Sequence, residues 1–189
     1  EYKEVEVAFG VDDKGQIAPI HDYLYVLFAT AQETHLQFVL NGPYRTNPSR
    51  ETISEDDHFN VHLMGETCQL LTSLLPTLRD KGLLTVAFLG VLPNPKDALR
   101  DFYKPLLDAV IKAFTENKLV PTDDDSYAPA STVLQGPAPI REVITNEELP
   151  FLAGQTATVW AKGVQQNTRP DQFLTGLSIR QWGWSELQQ

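Results

Sequence analysis

The segment at residues 38–59 constrains the fold most, because it changes character several times within one short stretch. It begins with the apolar residues FVL, passes through the Pro- and Asn-rich run NGPYRTNPSRETI, and ends in the acidic run SEDD before a helical pattern. Because Pro and Asn interrupt regular elements, Arg45 and Arg50 must lie on irregular backbone between a strand and a helix. Loops held by such a scaffold commonly carry functional side chains.

The residues before this loop predict four strands. The predicted strands are residues 4–11, 16–20, 23–29 and 34–40, with a hairpin turn at residues 12–15. Val5, Val7 and Phe9 alternate with polar residues, as in a strand with one buried face. The nearly continuous apolar run at residues 23–29 predicts a central strand that is buried on both faces.

The residues after the loop predict one long helix. Carboxylates at residues 54–57 suit a helix N-terminus, and apolar side chains then recur at helical spacing. Pro76 should kink the helix or end its regular part, and Gly82 marks its stop. The apolar run at residues 83–92 predicts a buried strand. The sequence therefore predicts an α/β fold, or α+β in the stricter classification, in which a mixed sheet packs against one long helix.

Two proline-rich breaks organise the rest of the chain. Residues 93–97, PNPKD, give the clearest boundary, so we expect a first domain at residues 1–92 and a smaller α+β subdomain at residues 93–189. The expected elements of the second part are one or two helices through residue 114, a hairpin around residues 123–126, a break at 136–139, a small helix near 146–152, a strand at 156–162, a loop at 168–170 and an end anchored by Trp182 and Trp184.

The sequence NPSRE at residues 47–51 resembles the Asn-x-Ser-Arg-Glu loop in the middle domain of the ninety-kilodalton heat-shock chaperone. The wider run at residues 24–92 resembles the segment after the ATP-binding domain in sacsin-like and bacterial chaperone-like ATPases of the GHKL class. Its closest part is YVLFATAQETHLQFVLNGPYRTNPSRETI. The resemblance implies a transducer-like middle domain with a β-α-β core.

The resemblance also implies a role for the loop. It assigns Arg50 to the γ-phosphate of ATP, which is bound with Mg²⁺ in an upstream Bergerat-fold domain. A guanidinium suits this role because it neutralises phosphate charge and donates two parallel hydrogen bonds. The residues expected to support the loop are Asn47, Ser49, Glu51 and Arg45, and Arg45 is also the substitute for Arg50. The family's glutamine four positions after the arginine is Ser54 here.

Composition limits the other function classes. The formal charge of −10 and the pI near 4.8 argue against a nucleic-acid partner, which clustered Lys and Arg would attract. No signal peptide, long apolar span or nucleotide-binding motif appears in the sequence, so we expect a cytoplasmic fragment without its own cofactor site. The single Cys68 lies within the helical apolar pattern, which is typical of an inert buried thiol.

Two other functions remain open. The chain can be a non-catalytic interaction module that keeps the fold but not the ATPase role. It can also be an autonomous enzyme in which His58, His62 and Glu66, at helical spacing, form a metal site; without an identifiable fourth ligand we expect none. The expected partners are an adjacent ATP-binding domain, a second copy in a homodimer, and protein clients.

Overall fold

The computed structural model describes residues 4–153 and 158–186. The helices are α1 (His58–Asp80), α2 (Val86–Leu89), α3 (Lys104–Glu116), α4 (Ala138–Val143), α5 (Leu149–Leu152) and α6 (Arg169–Gly176). The strands are β1 (Glu6–Ala8), β2 (Gly10–Val11), β3 (Ile17–Ala18), β4 (Tyr23–Val26), β5 (Phe28–Glu33), β6 (Val39–Asn41), β7 (Val120–Pro121), β8 (Tyr127–Ala128), β9 (Val133–Gln135), β10 (Val159–Trp160) and β11 (Arg180–Gln181).

The N-terminal strands form a mixed sheet with the order β1-β6-β4-β5. The β1/β6 and β4/β5 pairs are antiparallel, and the β4/β6 pair is parallel. The β2/β3 hairpin turns where Asp12 Oδ1 accepts the N–H groups of Lys14 and Gln16, and Gly15 adopts the left-handed conformation that glycine tolerates. The predicted α+β class, with a mixed sheet and one long helix, is confirmed.

The apolar run at residues 23–29 does not form the predicted central strand. The chain reverses at Leu27, whose φ is 65°, so that β4 and β5 pair as an antiparallel hairpin. Leu27 and Phe28 at the hairpin tip are 64% and 78% exposed. The prediction was wrong because the turn contains no Gly, Pro or Asn. Instead, the Leu27 N–H lies 3.4 Å from the side-chain oxygen of Asn41 on β6.

The long helix α1 begins and ends where the sequence predicted. The side chain of Asp57 caps its first turn by accepting the N–H of Phe59 at 2.8 Å, and Gly82 follows its last turn with φ 69°. The helix continues through Pro76 to Asp80. Its buried face, which includes Leu63, Leu71 and Leu75, packs against the sheet and α3.

Half of the run at residues 83–92 is buried, including Leu84, Phe88 and Leu92, but the run is not a strand. It contains the short helix α2, which begins after Thr85, whose side-chain oxygen accepts the Phe88 N–H at 3.3 Å. A short apolar run suits a buried strand or a buried helix equally well, and here the threonine cap favours the helix. The strand that would close a β-α-β unit after α1 is therefore not formed.

The predicted loop at residues 168–170 is also wrong, because Arg169 and Pro170 open α6. Arg169 donates through Nε to the Gly90 carbonyl at 2.7 Å and through Nη2 to the Leu92 carbonyl at 3.2 Å. Both of its terminal nitrogens also contact the carboxylate of Asp97, whose side chain is 7% exposed. We call these contacts the Asp97–Arg169 clasp.

The second half of the chain adds α3, the predicted β7/β8 hairpin and a parallel sheet with the order β10-β9-β11. Residues 156 and 157 of the predicted strand at 156–162 lie outside the described residues, as does residue 187 of the end segment. Trp182 is buried against Trp160, whereas Trp184 is 59% exposed. One hydrophobic core contains Leu71 of α1 and Phe114 of α3, so it extends across the predicted boundary at residue 92.

None of the helices described in residues 4–153 and 158–186 is both long and apolar enough to cross a membrane.

Candidate functional site

Asn47 organises the loop that carries the predicted catalytic arginine. Its backbone N–H donates to the Thr52 carbonyl at 2.8 Å, and its carbonyl accepts the Arg50 N–H at 3.0 Å. Its side-chain oxygen accepts the Glu51 N–H at 3.0 Å, while its Nδ2 donates to the Thr52 hydroxyl at 3.1 Å. An isolated bridge between Thr46 and Ile53 closes the base. We call residues 46–53 the Asn47 turn.

Ser49 and Glu51 also belong to this turn. The Ser49 hydroxyl lies 3.1 Å from Asn47 Oδ1 and 3.1 Å from Glu51 Oε2, so its single proton serves one of these acceptors at a time. The Glu51 carbonyl accepts the N–H of Ala31 on β5 at 2.8 Å. The turn is therefore attached to the sheet through its backbone.

Arg50 projects from the tip of the Asn47 turn. Its φ is 61°, a left-handed conformation that is uncommon for a residue with a β-carbon. Its side chain is exposed, and its guanidinium forms no ion pair or side-chain hydrogen bond with any part of residues 4–153 and 158–186. The turn therefore presents a cation that the described structure leaves free for another group.

Arg45 is held in a different way. Its Nη1 lies 3.4 Å from Asp57 Oδ2, and its guanidinium stacks 4.7 Å from the centroid of the Phe59 ring. Its backbone N–H and carbonyl both bond to the buried side chain of Asn60, at 2.7 and 2.9 Å. The sequence analysis named Arg45 as a substitute for Arg50 in phosphate contact. In the structure, Arg45 contacts the N-terminus of α1, whereas Arg50 lies at the tip of the turn.

A buried glutamine joins the turn to the protein core. Gln32 of β5 is 2% exposed, and its Oε1 accepts the Ile53 N–H at 3.0 Å. Its Nε2 donates to the Tyr103 hydroxyl at 2.9 Å and to Glu55 Oε1 at 3.1 Å. Glu55 also pairs with Arg100 at 2.9 Å. Sequence reasoning missed Gln32, Asn60 and Tyr103, because buried polar partners have no local sequence signature.

The surroundings shift the pKa of two of these groups further from neutral pH. Burial raises the pKa of Tyr103, so its hydroxyl stays neutral near pH 7. Partial desolvation raises the pKa of Asp57, but the Phe59 and Asn60 N–H groups oppose it. With the contribution of Arg45, the pKa of Asp57 lies below its ordinary value. The helix cap is therefore a carboxylate at neutral pH.

An apolar groove begins next to this network. It has a volume of about 550 Å³ and lies between the N-terminal turns of α1 and the 3₁₀ turn before α3. Val61, Met64, Phe102 and Pro105 line it, and Val61 is 52% exposed. Acidic side chains at residues 55, 56 and 101 form its rim. A groove of this composition suits an apolar ligand or peptide better than a phosphate.

The histidine-lined face of α1 gives no support for an autonomous metalloenzyme. His62 Nε2 lies 3.4 Å from Glu66 Oε1, as expected for residues one helical turn apart. In the described part of the chain, no group of three His, Cys, Asp or Glu side chains is arranged to hold a metal ion. Burial raises the pKa of the Cys68 thiol to about 11, which disfavours the reactive thiolate.

The structure thus separates the predicted site residues into two groups. Asn47, Ser49 and Glu51 form the turn that displays Arg50, whereas Arg45 belongs to the cap of α1. An exposed guanidinium on a braced turn can bind a phosphate or carboxylate through two parallel hydrogen bonds. Comparison with family models, curated proteins and solved structures returns no match.

Proposed function

We propose that this chain is the middle segment of a chaperone-like GHKL ATPase. In this proposal Arg50 contacts the γ-phosphate of ATP, which is held with Mg²⁺ by an adjacent domain. One observation carries the proposal: among the described residues the Arg50 guanidinium has no partner, and it projects from a turn whose backbone Asn47 holds. The resemblance of residues 47–51 to the chaperone loop supplies the reaction class.

The chemistry follows from the charge that phosphoryl transfer develops. Negative charge spreads over the γ-phosphate oxygens in the transition state, and a guanidinium fixed in advance stabilises it with little reorganisation. The Asn47 turn holds the backbone on both sides of Arg50, so the side chain projects from a defined point, and contact with the phosphate would complete its positioning. Within this chain, Arg50 is thus the group that would contact the nucleotide.

The buried network offers a route by which nucleotide state can reach the rest of the domain. Ile53 at the base of the turn bonds to Gln32, and Gln32 bonds to Tyr103 just before α3. A shift of the turn would therefore change hydrogen bonds in the core. A cytoplasmic location, a homodimeric parent and protein clients belong to the same proposal.

The deciding experiment compares ATP turnover and nucleotide affinity in the longer protein that, on this proposal, contains the segment. We expect Arg50→Ala to reduce turnover by at least about tenfold, or about 1.4 kcal/mol in the barrier, with nucleotide affinity nearly unchanged. Arg45→Ala tests the substitute, and Arg180→Ala, an exposed arginine on β11, is the matched control. Unchanged turnover in a folded Arg50→Ala protein would exclude the proposed role.

The alternative is a non-catalytic interaction module, and the apolar groove is the observation that favours it. Its apolar lining suits a peptide segment that presents apolar side chains. A Val61→Asp substitution should weaken such docking, whereas Val143→Asp, at a 70% exposed position outside the groove, should not. Docking that depends on Val61 in a parent without ATP turnover would favour this alternative.

A further inference from the structure

The second binding site that the fold suggests lies in the C-terminal parallel sheet. Strand β9 is central, with β10 and β11 parallel to it on either side. Leu134 of β9 is in register with Trp160 of β10 and with Arg180 of β11. Because the three strands run in one direction, their carboxyl ends meet at the same edge of the sheet.

Both faces of this sheet are covered. Val133 packs into the main core with Phe173 of α6, while the next residue, Leu134, belongs to a second cluster with Ile140 of α4 and Trp182. The chain leaves β9 through α4 and α5 to reach β10, then returns past β9 through α6 to β11. The order therefore reverses at β9, and in open parallel sheets ligands bind at the carboxyl ends of strands beside such a reversal.

A cleft of about 510 Å³ occupies that position. Gln135 and Gly136 at the end of β9, Lys162 and Gly163 after β10, and Gln181 at the end of β11 all line it. Small-molecule sites typically measure about 300–1,000 Å³. The cleft is therefore large enough for a small ligand, and each of the three strands contributes to it.

Gly136 contributes backbone to one wall of the cleft. A β-carbon at this position would lie 2.7 Å from the Trp182 carbonyl oxygen and 2.8 Å from the Trp160 ring. These distances are too short for a side chain, so the backbone of residue 136 packs directly on the tryptophan pair. The cleft wall here is thus peptide backbone supported by a rigid aromatic cluster.

Both cations that line the cleft are already paired with carboxylates. Arg141 contacts Asp123 through Nη1 and donates through Nε to the Gly136 carbonyl at 3.0 Å. Lys162 contacts Asp125 through its ammonium group. Asp171, which also lines the cleft, has no cationic partner in the described residues. A free anion would therefore find no unpaired cation here, and Asp171 would repel it.

Glutamine side chains supply the remaining polar groups. Gln181 Nε2 donates to Gln135 Oε1 at 2.7 Å, and Gln135 Nε2 lies 3.4 Å from Asp171 Oδ1. Gln166 lines the same cleft, and its amide makes no side-chain hydrogen bond within the described residues. An amide both donates and accepts hydrogen bonds, and so does a hydroxyl group.

We propose that this cleft binds an uncharged, hydroxyl-rich small molecule of mono- or disaccharide size. Ligand hydroxyls would bond to Gln166, Gln181 and Asp171 beside the backbone of residue 136. The site does not include Arg50 and does not depend on the proposed ATPase role. Its ligand class follows from the paired cations, which leave no charge for an anion, and from the amide and carboxylate groups that can bond hydroxyls.

The test is an NMR titration of the ¹⁵N-labelled chain with glucose, maltose and sucrose, with inorganic phosphate and citrate as anionic probes. We expect saturable shifts of the Gly136 and Gly163 amide signals with at least one neutral sugar. Gln166→Ala and Gln181→Ala should each weaken that binding by about fivefold, the effect of one lost hydrogen bond. Gln165→Ala is the matched control, because this exposed neighbour does not line the cleft.

Three results would overturn the proposal. The first is the absence of saturable shifts with every neutral sugar at tens of millimolar. The second is saturation by phosphate or citrate instead, which would make the cleft an anion site. The third is equal binding by Gln166→Ala and Gln165→Ala. Unchanged signals outside the cleft verify that each variant is folded.

Discussion

The Asn47 turn and the Asp97–Arg169 clasp use the same side chain in opposite ways. In the clasp, the guanidinium of Arg169 donates to two backbone carbonyls and to both oxygens of one nearly buried carboxylate. In the turn, hydrogen bonds surround the backbone of Arg50 but none involves its guanidinium in the described structure. Where arginine stabilises this fold, its donors have acceptors within the chain. An arginine without such acceptors is available to a ligand.

The largest expected effect comes from breaking the clasp. Arg169→Ala should lower the free energy of unfolding by about 2–3 kcal/mol, because it leaves Asp97 and two carbonyls without their donor. This value lies below that of a fully buried pair because the Arg169 side chain is 31% exposed. Equilibrium urea denaturation measures it, with Arg180→Ala as the surface control. A loss below about 0.5 kcal/mol would show that the clasp does not stabilise the fold.

An intermediate effect should come from Asn47. Asn47→Ala removes the side-chain bonds to Glu51 and Thr52 and should cost about 1 kcal/mol in the same measurement. Asn47→Asp keeps the oxygen acceptor but loses the Nδ2 donor, so its cost should be smaller. Equal stability of Asn47→Ala and the unchanged chain would show that the turn does not depend on this side chain.

The smallest effect on stability should come from Arg50 itself. Arg50→Ala should change the free energy of unfolding by less than about 0.5 kcal/mol, because no described group contacts the guanidinium. Arg50→Lys, which keeps the charge, controls for the surface electrostatics. A loss above about 1 kcal/mol would mean that Arg50, like Arg169, has a structural role.

The elements that the sequence predicted well have local causes. Helix α1 begins after Asp57, which caps its first turn, and ends before Gly82. Each of these residues lies within one helical turn of the helix end that it determines. The β2/β3 hairpin likewise depends on Asp12 and Gly15 between its strands. Composition and periodicity were therefore sufficient for the α+β class and for the position of the arginine loop.

The elements that it missed depend on distant partners or on unusual backbone. The chain turns at Leu27 with a positive φ, although a leucine gives no sequence signal for such a turn. Helix α2 forms where a strand was predicted, because a short apolar run suits either element. The strands β9, β10 and β11 are too short to give a periodic signal, so the parallel sheet and its cleft were not predicted. The role of Gln32 could not be predicted, because its hydrogen-bond partners Ile53 and Tyr103 are distant in sequence and meet it only in the folded chain.

The left-handed backbone of Arg50 also bears on protein engineering. Glycine adopts φ near 61° without the steric cost that a β-carbon brings, so a sequence optimised for folding stability alone would favour Gly at position 50. Such an optimised protein would keep the shape of the loop while losing its cation. On the proposed ATPase role, position 50 should therefore stay arginine in any redesign that aims to raise thermal stability.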